Sequence, residues 1–109
     1  MPRNASSPLQ SLGRFHDPGL LILAALSAGA KHGYAIIVDV EAHSGRRLGP
    51  GTLYGAMTRL EKMKFIEATV LGERGRRPYR ITPEGRRAFR TRLAELEQYQ
   101  SMLHGLATR

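Results

Sequence analysis

The stretch PGTLYGAMTRLEKMK, residues 50–64, decides the fold of this chain. Proline suits the first position of a helix, because the N–H group that it lacks would have no partner there. At 100° per residue, the apolar side chains of the stretch fall within about 120° of arc. These side chains are Leu53, Ala56, Met57, Leu60 and Met63. The pattern predicts a helix from Pro50 to about Lys64 with one buried face.

The opposite face of this helix carries groups that suit contact with nucleic acid. Gly51 leaves the N-terminal end uncovered, so that backbone N–H groups can approach a phosphate. Hydroxyl groups in the first turn can donate to phosphate oxygens, and polar side chains further along can reach base edges. The candidate DNA-binding residues here are Gly51, Thr52, Tyr54, Thr58, Arg59 and Lys62. An ordinary amphipathic helix with a solvated face is the alternative interpretation.

A helix that is apolar on every side is predicted upstream. Asp17 can cap this helix, Pro18 fits its first position, and residues 20–26 are all apolar. Such a helix needs cover on both faces, and a chain of this size offers little. We therefore expect a partner chain to cover part of it, with Leu21 and Leu23 among the dimer contacts.

A second helix is predicted from Gly33 to His43, after the first one ends at Gly29. The residues predicted to form its apolar face are Tyr34, Ile37, Val38 and Ala42. For Tyr34, a core position is favoured over a place in an effector pocket. A turn over residues 44–49 then leads to Pro50.

A basic hairpin follows the third helix. Residues 66–71 and 78–81 have the pattern of two strands, and residues 72–77 form a loop with two glycines. Contact with phosphates or the minor groove explains this concentration of like charge better than a solvated turn does. The arginines assigned to DNA are Arg74, Arg76 and Arg77. Arg80, on the second strand, can face either way.

The last helix begins after Thr82-Pro83-Glu84, which supply a cap, a first-position proline and an early acid, and it runs to about Leu106. Large apolar residues recur along it at steps of three and four, which is typical of a coiled-coil seam. The predicted dimer contacts in this seam are Phe89, Leu93, Leu96, Tyr99, Leu103 and Leu106.

Two helices, a turn, a third helix and a two-stranded wing describe a winged helix-turn-helix, in which the last of these helices enters the major groove. The predicted fold class is therefore mainly α with a small β-hairpin. We predict a flexible N-terminal arm over residues 1–16, the winged helix-turn-helix over 17–82, and a dimerisation helix over 83–109.

Composition supports a polyanionic partner. The 109 residues are enough for one domain, and 17 Lys and Arg against nine Asp and Glu give a net charge of +8. Residues 49–82 hold seven of the basic and three of the acidic residues, so half of the excess lies in this third of the chain.

Several function classes are excluded by the same inventory. The chain has no Cys, and its four His residues lack metal-ligand spacing, so we expect no metal and no cofactor. No activated nucleophile or acid–base pair is recognisable, so we expect no enzyme. The longest apolar run, residues 20–26, is far shorter than the roughly 20 residues that span a bilayer. We expect a cytoplasmic protein.

Four motifs, in this order and spacing, resemble the PadR family of bacterial winged-helix transcriptional regulators. They are His32-Gly33-Tyr34, Pro50-Gly51-Thr52-Leu53-Tyr54, Arg59-Leu60-Glu61 and the segment from Gly75 to Thr82. The resemblance covers about Leu20 to Leu106. At Lys64, where the family usually has glycine, the chain needs either a left-handed residue or a different helix end.

The resemblance implies a homodimeric repressor of the short form, with one C-terminal helix packed against the partner's N-terminal region. It implies that Thr52 and Tyr54 contact phosphates of an operator and that the wing contacts the flanking backbone. It also implies release by a small molecule or other signal. The alternative is a co-regulator module in which the winged helix binds another protein or RNA.

Overall fold

The computed structural model describes residues 17–70 and 77–109. Within these ranges the chain forms helices α1 (Pro18–Ser27), α2 (Gly33–Ser44), α3 (Pro50–Lys62) and α4 (Pro83–Thr108), and strands β1 (Ile66–Ala68) and β2 (Tyr79–Ile81). This order confirms the predicted fold class. The arm predicted over residues 1–16 lies outside the described residues.

Helix α1 lies at the centre of the core. The Asp17 carboxylate accepts a hydrogen bond from Gly19 N at 2.9 Å and caps the helix as predicted. Helices α2, α3 and α4 and strand β2 all pack against α1. Its buried residues are Ile22, Leu23, Ala25 and Leu26. The chain's own elements cover this face, whereas Leu20 and Leu21 are partly exposed and Ala24 is exposed. The partner contact expected on α1 stays a prediction.

The buried face of α2 differs from the predicted one. Its members follow steps of three and four from the first helical residue, and they are Gly33, Ile36, Ile37 and Val40. Tyr34 is 65% exposed, and Val38 and Ala42 are exposed as well. The prediction of a core position for Tyr34 was wrong, because a face centred on Ile36 and Val40 packs against the core instead.

Helix α3 buries the predicted face except at its end. Leu53, Ala56, Met57 and Leu60 are buried, whereas Met63 is exposed because the helix stops at Lys62.

The end of α3 is a Schellman motif with lysine in place of glycine. Lys64 has φ 64°, in the left-handed region. Lys64 N donates to Glu61 O at 3.0 Å and Phe65 N donates to Leu60 O at 2.9 Å. The left-handed conformation costs a residue with a Cβ atom about 1–2 kcal/mol.

Replacing Lys64 with glycine is expected to raise the free energy of unfolding by about 0.5–1 kcal/mol, because relief of the left-handed strain exceeds the extra entropy of the unfolded chain. Urea unfolding at fixed protein concentration measures the change. Glu61→Gly, at an exposed helical position of α3, is the control and is expected to lower stability by about 1 kcal/mol. A Lys64→Gly variant less stable than the parent would contradict the strain.

The hairpin is antiparallel, with Ile66 opposite Ile81 and Glu67 opposite Arg80. Both strands are shorter than predicted, since β1 ends at Ala68 and β2 begins at Tyr79. The segment before α2 extends the sheet, because Lys31 and Tyr79 exchange backbone hydrogen bonds of 3.0 and 2.9 Å.

Thr82 joins the end of α3 to the start of α4. It is 7% exposed, and its hydroxyl donates to Lys64 O at 2.7 Å and accepts from Gly85 N at 3.0 Å. Thr82 N donates to Phe65 O at 3.0 Å. Gly85 packs so closely here that a Cβ atom on it would lie 2.1 Å from Phe65 O. We name this contact, made by Lys64, Phe65, Thr82 and Gly85, the α3–α4 joint.

None of the helices in the described part of the chain is both long enough and apolar enough to cross a membrane.

Candidate nucleic-acid interface

The outward face of α3 holds the six residues of this helix that were predicted to contact DNA. Their exposure agrees with the pattern; they are Gly51, Thr52, Tyr54, Thr58, Arg59 and Lys62. The N-cap residue, Gly49, makes no side-chain hydrogen bond to the helix end. Backbone N–H groups in the first turn of α3 are therefore open to an anion.

The polar groups on α3 differ in what they can recognise. Thr58 Oγ1 donates to Tyr54 O at 2.9 Å, so the hydroxyl proton is used within the helix. The oxygen can still accept from a base amino group, and the methyl group can contact thymine. Arg59 lies at the edge of this face, where it also lines a groove with α1 and α4.

The wing is described on one side only. Arg77 is exposed beside β2, whereas Arg74 and Arg76 lie outside the described residues. The Arg80 guanidinium Nε is 2.7 Å from Glu67 Oε2 across the hairpin. This ion pair gives Arg80 a partner within the sheet.

A cavity of about 390 Å³ lies where α2, α3 and the start of β2 meet. The residues that line it are His32, Gly33, Tyr34, Tyr54, Arg77 and Tyr79. Tyr34 and Tyr79 were not among the residues predicted to contact DNA. A helical wheel centred on Ile36 and Val40 places Tyr34 roughly 140° from the centre of that face, which predicts an exposed side chain.

The second half of α4 exposes an apolar stripe. Leu93, Leu96, Tyr99, Leu103 and Leu106 of the predicted seam are all exposed. Met102 lies on the same stripe and was not predicted, although its spacing from Tyr99 and Leu106 indicated it. Phe89 differs from the other seam residues, because it is partly buried against the core of its own chain.

A groove of about 620 Å³ runs beside this stripe, between the start of α1, the end of α3 and the first half of α4. Leu20, Met63 and Phe65 contribute apolar surface to the groove. Leu23 also lines it but is only 5% exposed, so it offers little area to a partner. Leu21 is partly buried against the core.

Comparison with known proteins identifies relatives of this chain. An uncharacterized 37.1 kDa protein in transposon TN4556 of Streptomyces fradiae is 50% identical over 74 residues, which are 67% of this chain and 21% of that protein. Transcriptional regulator Rv3488 of Mycobacterium tuberculosis is 39% identical over 69 residues, which are 62% of this chain and 64% of that protein. The chain thus spans less than two thirds of either relative.

The solved structure of a transcriptional regulator from Clostridium thermocellum matches with a TM-score of 0.74 and 30% identity, covering 81% of this chain and 87% of that one. The profile of the transcriptional regulator PadR-like family matches residues 22–91. These matches confirm the winged-helix fold and the resemblance seen in the sequence, and the proteins of this family are regulators rather than enzymes. The chain belongs to the PadR-like family of transcriptional regulators.

Proposed function

We propose that this protein is a sequence-specific DNA-binding regulator, a homodimeric repressor that places α3 of each subunit in the major groove of an operator. The observation that carries the proposal is the outward face of α3. It combines an open helix N-terminus, two hydroxyl groups near the start of the helix (Thr52 and Tyr54) and two cations (Arg59 and Lys62). Groups of these kinds position a helix on phosphates and reach base edges.

Dimerisation is supported by the stripe on α4. Large apolar side chains at regular helical spacing gain stability when a second apolar surface removes them from water. The groove beside the stripe offers apolar side chains of α1 and α3 to the same partner. A second copy of the chain, related by a two-fold axis, satisfies both surfaces at once.

A two-fold dimer implies an inverted-repeat operator. Its half-sites should lie about one turn of DNA, roughly 34 Å, or a multiple of it apart. A repressor bound at a promoter blocks access of the polymerase. A small molecule or other signal that changes the spacing of the two α3 helices releases the repressor from the DNA.

The test is selection of bound fragments from genomic DNA at about 150 mM salt, followed by sequencing. A few intergenic fragments that share an inverted repeat are expected. A Thr58→Ala, Arg59→Ala double variant serves as the matched control and should lose this enrichment. Recovery of fragments in proportion to their abundance would overturn the proposal and favour a protein- or RNA-binding module.

Changing Arg74, Arg76 and Arg77 to alanine is expected to weaken binding to all DNA sequences alike. If each subunit neutralises about four or five phosphates, log K falls with log salt at a slope near −7 to −9. Loss of three arginines per subunit should make that slope less steep by up to about five. Fluorescence anisotropy across a salt series measures it.

The matched control is the triple lysine variant, which keeps the charge and should keep the slope. A slope that is the same in the alanine variant and the parent would remove the wing from the interface.

A further inference from the structure

We propose that the cavity at the meeting point of α2, α3 and β2 is a seat for one phosphate of the DNA backbone, and that Tyr34 on α2 is a DNA-contacting residue. The inference rests on the proposed function and extends the interface beyond α3 and the wing. We name this cavity the tyrosine seat, lined by His32, Gly33, Tyr34, Tyr54, Arg77 and Tyr79.

The chemistry of the tyrosine seat favours an anion. Three tyrosines and one arginine line it, contributed by α2, α3, β2 and the segment just before β2. Phenols and guanidinium groups donate hydrogen bonds, and guanidinium is always charged. Among the described residues that line the cavity, none carries a carboxylate. The walls therefore include side chains that are able to donate to a phosphate oxygen, and none of these residues is acidic.

The walls of the tyrosine seat are held in place by the fold. A Cβ atom on Gly33 would lie 2.5 Å from the Tyr54 hydroxyl oxygen, so the phenol of α3 rests directly on the first residue of α2. On the other side, Tyr79 is bonded to Lys31 through both backbone groups, at 3.0 and 2.9 Å. Three elements that are distant in sequence thus hold fixed positions around one space.

Exposure favours DNA as the source of the phosphate. Tyr34 is 65% and Tyr54 54% exposed, so the cavity is open to solvent and accessible to the backbone of a bound duplex. Tyr54 also belongs to the outward face of α3. A duplex with α3 in its groove passes its backbone beside this residue, and the next phosphate along the strand can enter the tyrosine seat.

The test is Tyr34→Phe in the full-length protein, which removes one hydroxyl group and leaves the ring. We expect affinity for the operator and for a scrambled duplex to fall by the same factor, about tenfold, because a phosphate contact carries no base information. Ser101→Ala, which removes one exposed hydroxyl group on the side of α4 away from the stripe, is the matched control and should leave both affinities unchanged.

A second experiment locates the phosphate. Single methylphosphonate substitutions along the operator remove the charge of one phosphate at a time. At one position, the substitution should lower the affinity of the parent protein for the operator about tenfold. It should lower the affinity of the Tyr34→Phe variant by less than threefold, because the two changes remove the same interaction. The inference would be overturned if each methylphosphonate lowered the affinity of the Tyr34→Phe variant by the same factor as that of the parent protein.

The outcomes separate this inference from the proposed function. If the parent protein selects no DNA, the proposed function fails. If the parent binds its operator and Tyr34→Phe binds equally well, only the tyrosine seat fails. Titration of the DNA-free protein with inorganic phosphate gives the third arm. Submillimolar binding that Tyr34→Phe abolishes, with DNA affinity unchanged, would assign the seat to a free anion and overturn the DNA contact.

Discussion

Replacing Gly85 with alanine is expected to lower the free energy of unfolding by about 3 kcal/mol, at the upper end of overpacking effects. The new Cβ atom would lie 2.1 Å from Phe65 O and 2.8 Å from Ile81 Cγ1. The carbonyl cannot move aside freely, because it accepts the hydrogen bond from Thr82 N. The clash must therefore open the α3–α4 joint.

Urea unfolding at a fixed protein concentration measures this effect, with circular dichroism to follow the helices. Gly105→Ala is the matched control on the same helix, where a Cβ atom would meet nothing within 4 Å. In the control, the free energy of unfolding is expected to be unchanged or to rise by up to about 1 kcal/mol, because alanine has a higher helix propensity than glycine. Equal stability of Gly85→Ala and the parent would mean that the joint is looser than described.

Changing Leu93 and Leu96 to glutamate is expected to give monomers that bind the operator at least 100-fold more weakly. Both side chains are exposed in the single chain, so the change should not disturb the core. In a dimer it would bury four unpaired carboxylates, and each would cost several kcal/mol or keep the helices apart. A monomer also loses the second half-site.

Sedimentation and operator binding are measured together. Ala94→Glu with Ser101→Glu adds the same charge on the opposite side of α4, about 150° or more from the centre of the stripe. This variant should remain dimeric. If the Leu93→Glu, Leu96→Glu protein sediments as a dimer, the stripe does not form the interface.

The helices and their caps could be predicted from the sequence, because both depend on residues that are close together in the chain. The buried face of α3 followed from the spacing of Leu53, Ala56, Met57 and Leu60, and the caps of α1 and α4 followed from Asp17 and Thr82. The conformation of Lys64 was one of two alternatives, and its φ of 64° decides between them.

The errors arose where a residue's position depends on contacts distant in sequence. Tyr34 was placed in the core because an aromatic residue on a short apolar helix fits that pattern, yet the core meets the adjacent face of α2. Gly85 carries no pattern at all, since its importance comes from a carbonyl 20 positions earlier in the chain. The tyrosine seat likewise exists only after three elements have come together.

The α3–α4 joint connects the two helices through hydrogen bonds. Thr82 and Gly85 fix the start of α4 to the residues that end α3. The 26 residues of α4 extend about 39 Å from the α3–α4 joint. A tilt of about 5° about the joint would move the far end of such a helix by roughly 3 Å. The hydrogen bonds of the joint therefore link the direction of α4 to the end of α3, so a change in one helix is expected to affect the other.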